Sequence, residues 1–198
     1  MPRRPTACRR SRQRPQSAFT LIELLMVIMI IAILSAIAVP SVLEFQVRAK
    51  VARVQTELRA MATTLEAYCV DQGSYPPAFD PAVGANIFPL SQRIYRLTTP
   101  IAYIMKLPAE VFPPAAAYAN APLSHFDTYD YYCSESDTLE HDGINSTRHS
   151  AWRLSSGGPD LYHSFSMIDF GGIEYDPTNG TISNGDLTRL GPRADSDF

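Results

Sequence analysis

The sequence predicts an α+β chain in which one long N-terminal helix, half membrane-like and half amphipathic, packs on a small antiparallel sheet. Three observations carry that expectation. An apolar run fills residues 19–39, and a stripe of apolar residues spaced by threes and fours follows to Tyr68. Beyond it, short β-branched or aromatic segments are separated by Gly, Asn, Asp and Pro. Four stretches result: a basic leader (1–18), a membrane-like helical segment (19–39), an amphipathic continuation (40–72) and a globular head (73–198).

The leader holds six arginines, Arg3, Arg4, Arg9, Arg10, Arg12 and Arg14, and no acid. The whole chain has 17 basic and 20 acidic residues, so beyond the leader 11 basic residues face 20 acidic ones, a net charge of −9. Such an acidic body argues against nucleic-acid binding, which draws on a basic face. Arginines flanking a membrane span stay on the cytoplasmic side, so the leader reads as a topology signal that places everything after the span outside the cytoplasm.

Phe19 to Val39 matches the ~20 apolar residues that cross a hydrocarbon core. Glu23 interrupts its start, and a charge inside such a segment costs roughly 2.5–3.5 kcal/mol, which marks it as functional. The competing reading is a secretory signal peptide cut near Ala18 or Ala38. The run is longer than the usual apolar core of such peptides, and helical periodicity continues past Pro40.

That periodicity runs through Val47, Val51, Val54, Leu58, Met61, Leu65 and Tyr68, with Arg48, Lys50, Arg53, Glu57, Arg59 and Glu66 on the other faces. The stripe requires a cover, either a coiled-coil partner or the head that follows. Pro40 removes one helical hydrogen bond and marks a kink between the two halves. Breakers from Asp71 to Pro77 end the helix near Val70 to Gly73. Residues 74–125 read as irregular with one or two short helices. Strands are expected at Thr128–Cys133, Ala151–Ser155, Leu161–Ile168 and Gly172–Tyr175.

Cys8 lies in the leader, leaving Cys69 and Cys133 as a candidate disulfide pair in an oxidising compartment, with two buried thiols as the alternative. His125, His141, His149 and His163 lack ligand spacing, and no nucleophile elbow, phosphate loop or catalytic carboxylate pair is visible, so no enzyme is expected.

The run Phe19-Thr20-Leu21-Ile22-Glu23-Leu24-Leu25 after a basic leader, with Pro40 as the twenty-second residue from Phe19, resembles the N-terminus of type IV pilins and type II secretion pseudopilins. Tyr68-Cys69-Val70-Asp71-Gln72-Gly73-Ser74-Tyr75-Pro76 resembles the close of the long helix in major pseudopilins. Ser155 to Asp160 is similar to a late Ser-x-Gly-x-Asp turn of that family. Tyr175 to Asp186 looks like the ending of a pseudopilin-like branch associated with planctomycete-type bacteria. The chain departs from the family at Ala18, where Gly is usual, and it lacks the Asp-Pro-Trp-Gly-Asn-Pro stretch of major pseudopilins.

The resemblance implies a pilin-like fold and cleavage by prepilin peptidase between Ala18 and Phe19, with N-methylation of Phe19. Glu23 would then neutralise the Phe19 amino group of a neighbouring subunit and set filament register, because a wrong stagger leaves two charges uncompensated. The alternative is a Glu23 that snorkels to the interface. The resemblance also implies a calcium near Asp160, with Asp169, Asp176, Asn179, Asn184 and Asp186 as further oxygen donors; these residues equally suit ordinary turns. The function implied is a structural subunit of a pseudopilus in a type II-like secretion system. Its partners would be other pseudopilins, the assembly platform and its ATPase, and it would cross the bacterial inner membrane once with the head in the periplasm. The alternatives are a type IV or competence pilin and a single-pass anchored ligand-binding domain.

Overall fold

The computed structural model describes residues 19–80, 82, 85–114, 122–134, 150–163, 173–178 and 183–192. The chain divides into two compact units, one ending at Val42 and one spanning Leu43–Phe198. A single helix, α1 (Leu21–Gln72), supplies residues to both and carries Pro40 inside it.

In the first unit the described residues are almost entirely helical, and every apolar side chain from Phe19 to Val42 is exposed. The helix is long and apolar enough to cross a membrane. Next to Pro40, which has no N–H to give to the Ala36 carbonyl, the Ser41 hydroxyl donates to the Ala38 carbonyl at 2.9 Å.

The second unit has an α+β core. The apolar stripe of α1 is buried at Val51, Val54, Leu58, Met61, Leu65 and Tyr68, with Val47 partly covered. Its cover is the head itself, through Ala78, Ile94, Leu97, Phe112, Tyr129, Tyr131, Trp152, Leu154 and Leu187. Full burial of one such side chain is worth roughly 1.5–3 kcal/mol, so the stripe is a main source of head stability. The helix ends where Gly73 turns into the left-handed region (φ 75°) and donates its N–H to the Cys69 carbonyl at 2.8 Å.

The main sheet has the order β3-β4-β5, all antiparallel, with β4 (Trp152–Ser156) central. On one side lies β3 (Asp130–Cys133), with Asp130 opposite Ser155 and Cys133 opposite Trp152. On the other lies β5 (Leu187–Leu190), with Leu187 opposite Ser156. A two-residue hairpin, β1 (Phe79–Asp80) with β2 (Ala85–Asn86), and a one-turn helix, α2 (Ser91–Ile94), occupy the region expected to be irregular.

Two strand expectations change. Leu161–His163 are not strand: the chain turns there, Leu161 takes φ 59° and its N–H bonds back to Gly158 at 3.1 Å. The rest of Leu161–Ile168 lies outside the described residues. Of Gly172–Tyr175, Gly172 is likewise outside, and Glu174 forms only an isolated bridge to Asp186.

That bridge belongs to a tight crossing of three backbones. A Cβ on Gly158 (φ 69°) would run into the Gly185 carbonyl, and one on Gly185 into the Glu174 carbonyl. The turn after β4 and the segment before β5 therefore touch main chain to main chain. Gly185→Ala is expected to destabilise the head by about 1–3 kcal/mol, the usual cost of overpacking, read as a lowered urea midpoint of Trp152 fluorescence.

Candidate functional site

The start of α1 is a reciprocal capping box. The Thr20 N–H and Thr20 hydroxyl donate to Glu23 Oε2 at 2.8 and 2.7 Å, while the Glu23 N–H donates to Thr20 Oγ1 at 3.3 Å. A Thr at the cap and a Glu three residues on satisfy donors that a helix start otherwise leaves open. Both bonds to the carboxylate end on Oε2, so Oε1 takes neither. Phe19, the residue before the cap, is 75% exposed. Ala18 lies outside the described residues. Glu23 is thus held at the first turn of an uncovered apolar helix, a carboxylate with one oxygen committed locally.

The other residues singled out in the sequence are dispersed. Cys69 is half-buried near the end of α1, and Cys133 is buried in β3; no disulfide joins them in this structure. Asp160 follows the Gly158 turn, where its carboxylate accepts the Tyr162 N–H at 3.2 Å, and burial pushes it above the usual carboxylate range. Asp176 instead accepts the Thr178 hydroxyl and N–H at 2.6 and 2.8 Å, which hold it below that range. Asp169 and Asn179 lie outside the described residues. Among the described residues no three His, Cys, Asp or Glu side chains form a group able to hold a metal.

Sequence reasoning missed a set of polar residues that fasten the head. Glu66 of α1 accepts the Trp152 indole N–H at 2.7 Å and the Tyr75 hydroxyl at 3.1 Å. Glu57 accepts the Tyr129 hydroxyl and pairs with Arg53 at 2.8 Å. Burial and the Glu66 carboxylate together push the Tyr75 hydroxyl well above its ordinary value. Deeper in, Asp130 bonds Arg93 at 2.8 Å and Arg153 at 3.3 Å, all three buried. The Arg93 guanidinium also donates to the Ile87 and Tyr131 carbonyls, and it lies over the Phe88 and Tyr132 rings. The Glu66–Trp152, Glu57–Tyr129 and Asp130–Arg93 partners are distant in sequence, so no local spacing signals those contacts.

The model of the prokaryotic N-terminal methylation motif matches residues 13–39. The type II secretion system core protein G of Pseudomonas aeruginosa is 41% identical over 64 residues, which cover 32% of this chain and 45% of that protein. The N-terminal segment of this chain is thus similar to that of type IV pilins and of a type II secretion core protein. The type IV major pilin protein PilA of Myxococcus xanthus is 41% identical over 66 residues, covering 33% of this chain and 30% of its own length. The type IV major fimbrial protein FimA of Dichelobacter nodosus is 39% identical over 72 residues, covering 36% and 46%. The chain thus spans less than half the length of these curated relatives. No solved structure matches it. The capping box of Thr20 and Glu23 lies inside the matched motif.

Proposed function

We propose that this chain is the structural subunit of a pseudopilus in a type II-like secretion system, processed after Ala18 and assembled as a helical filament. The observation that carries this reading is Glu23, held at the first turn of an exposed apolar helix, five residues after the expected cleavage point. Cleavage would leave the Phe19 amino group as a cation, and N-methylation would keep it one. Glu23 Oε1, the oxygen Thr20 leaves untouched, would accept that ammonium from the neighbouring subunit. An ion pair shielded from water tolerates no misplacement, because an unmatched partner leaves a buried charge exposed to the full desolvation cost. Head-to-tail contacts of this kind do not close into a ring and so propagate.

The chain would cross the inner membrane once, leader inside and head in the periplasm. Prepilin peptidase, the assembly platform and its ATPase would be its partners, and the filament its working form. The similarity to PilA and FimA favours a second reading, a surface type IV pilin, which filaments visible on intact cells would support. A role for Pro40 in bending the helix within the filament, a tie between Cys69 and Cys133, and a cation at Asp160 belong to the same proposal.

The deciding experiment is mass spectrometry of the N-terminal peptide of protein recovered from its native membrane. A start at N-methylated Phe19 is expected. A mature protein that keeps its arginine-rich leader would bring the filament reading down and leave a membrane-anchored domain.

A further inference from the structure

Glu110 lies in the irregular segment that leads from the end of α1 back to the sheet. This segment is fastened at three places. The Thr128 hydroxyl donates to the Pro108 carbonyl at 2.6 Å, Phe112 is buried in the core, and Glu110 Oε1 accepts the Ser156 hydroxyl at 2.6 Å and the Phe112 N–H at 2.9 Å. The other oxygen, Oε2, is buried with no hydrogen-bond partner. Among the described residues no cation bonds Glu110. Among the described residues its charged and titratable neighbours are Asp186, from the segment that enters β5, and Tyr129, from the segment that enters β3. Behind Tyr129 stands Glu57 of α1, whose carboxylate is already shared between the Tyr129 hydroxyl and Arg53.

A carboxylate in that position has one oxygen hydrogen-bonded and the other buried without a hydrogen-bond partner. A protonated carboxyl retains both bonds to Oε1 and carries no charge into the core. We propose that Glu110 is an acid latch: its neutral form pins residues 108–112 to the end of β4, and its ionisation loosens that strap from the sheet. Such a latch makes the head more stable in mildly acidic than in mildly alkaline surroundings, and it acts independently of filament formation.

The electrostatics agree with the geometry. Burial, only partly offset by the Ser156 hydroxyl and the Phe112 and Val111 N–H groups and reinforced by Asp186, pushes Glu110 up to about 8 from an ordinary 4.5. A group whose value is raised on folding stabilises fully below its unfolded value. That contribution declines as pH rises and is gone above the folded value, so the window runs from 4.5 to about 8.

The test uses the full chain in neutral detergent micelles, with thermal unfolding followed by the emission of Trp152, the single tryptophan, from pH 5.5 to 9.5. The native chain is expected to lose about 5 °C or more in Tm across that range. Glu110→Gln keeps an acceptor oxygen for Ser156 and Phe112 but cannot ionise, so its Tm should change far less. Equal pH slopes in the two proteins would overturn the latch. Should the Gln variant fail to fold, the carboxyl carbon of Glu110 can be titrated in the native chain by isotope-edited NMR. A midpoint near 8 supports the latch, and one in the ordinary carboxylate range overturns it.

Discussion

Glu23→Ala is expected to abolish filament assembly while leaving the head folded. The two consequences separate because Glu23 belongs to the first compact unit, whereas the core that holds the head is drawn from residues 51 onward. Removing the carboxylate deletes the acceptor for the Thr20 N–H and hydroxyl, and with it the cap of the first turn. It also deletes the acceptor for a neighbour's Phe19 ammonium, which leaves that cation unmatched at every subunit contact. Glu23→Gln keeps the hydrogen-bonding shape without the charge, so it separates the two effects: the cap survives and the intersubunit pair does not. Filament yield in sheared fractions and resistance of the head to limited proteolysis are the two readouts. Normal filaments in the Ala variant would show that the carboxylate has no part in assembly.

Asp130→Ala is expected to cost about 3–5 kcal/mol of head stability, the range found when one partner of a buried ion pair is removed. The side chains of Arg93 and Asp130 are 0% and 2% exposed, and that of Arg153 is 1% exposed. Two guanidinium groups would lose a shared carboxylate in surroundings where water cannot replace it. Arg93 would retain the Ile87 and Tyr131 carbonyls and the faces of Phe88 and Tyr132, which soften the loss without neutralising the charge. Asp130→Asn, which keeps an acceptor of nearly the same shape, should fall between the native chain and the Ala variant. Urea unfolding followed by Trp152 emission measures both. A midpoint for Asp130→Ala within error of the native one would mean that the cluster contributes nothing.

The amphipathic half of α1 was legible because seven apolar residues repeat at helical spacing, a signal that survives without knowledge of the partner surface. Thr128–Cys133 and Ala151–Ser155 were legible for a similar reason: aromatic and apolar residues concentrate in short runs flanked by turn formers. β5 was not, because Leu187-Thr188-Arg189-Leu190 has too few residues to display a period, and its strand character comes from the ladder with β4. Leu161 looked like the start of a strand from composition, yet the turn set by Gly158 decided its backbone. At the helix start, Thr20-x-x-Glu23 carried a capping-box spacing that local reading could have found. Glu110 offered no such signal, since its environment is built from β4, the approach to β3 and the approach to β5, all distant in sequence.

The stripe on α1 has a property that matters for how the head finds its place. Val47, Val54, Met61 and Tyr68 recur every seven residues, as do Val51, Leu58 and Leu65. A slide of the helix by seven residues, about 10.5 Å at the helical rise, would set apolar side chains where apolar side chains already were. Grease alone is indifferent to that slide, because the hydrophobic effect has no direction. Glu57 and Glu66 are not indifferent. They stand nine residues apart, so no such slide exchanges them, and each meets a different donor far along the chain, Tyr129 for the first and Trp152 for the second. These two carboxylates act like the teeth of a key, permitting one seating of a repetitive rod. A helix with leucine at both positions would still stick to the sheet, but would have lost the instruction for where to stop.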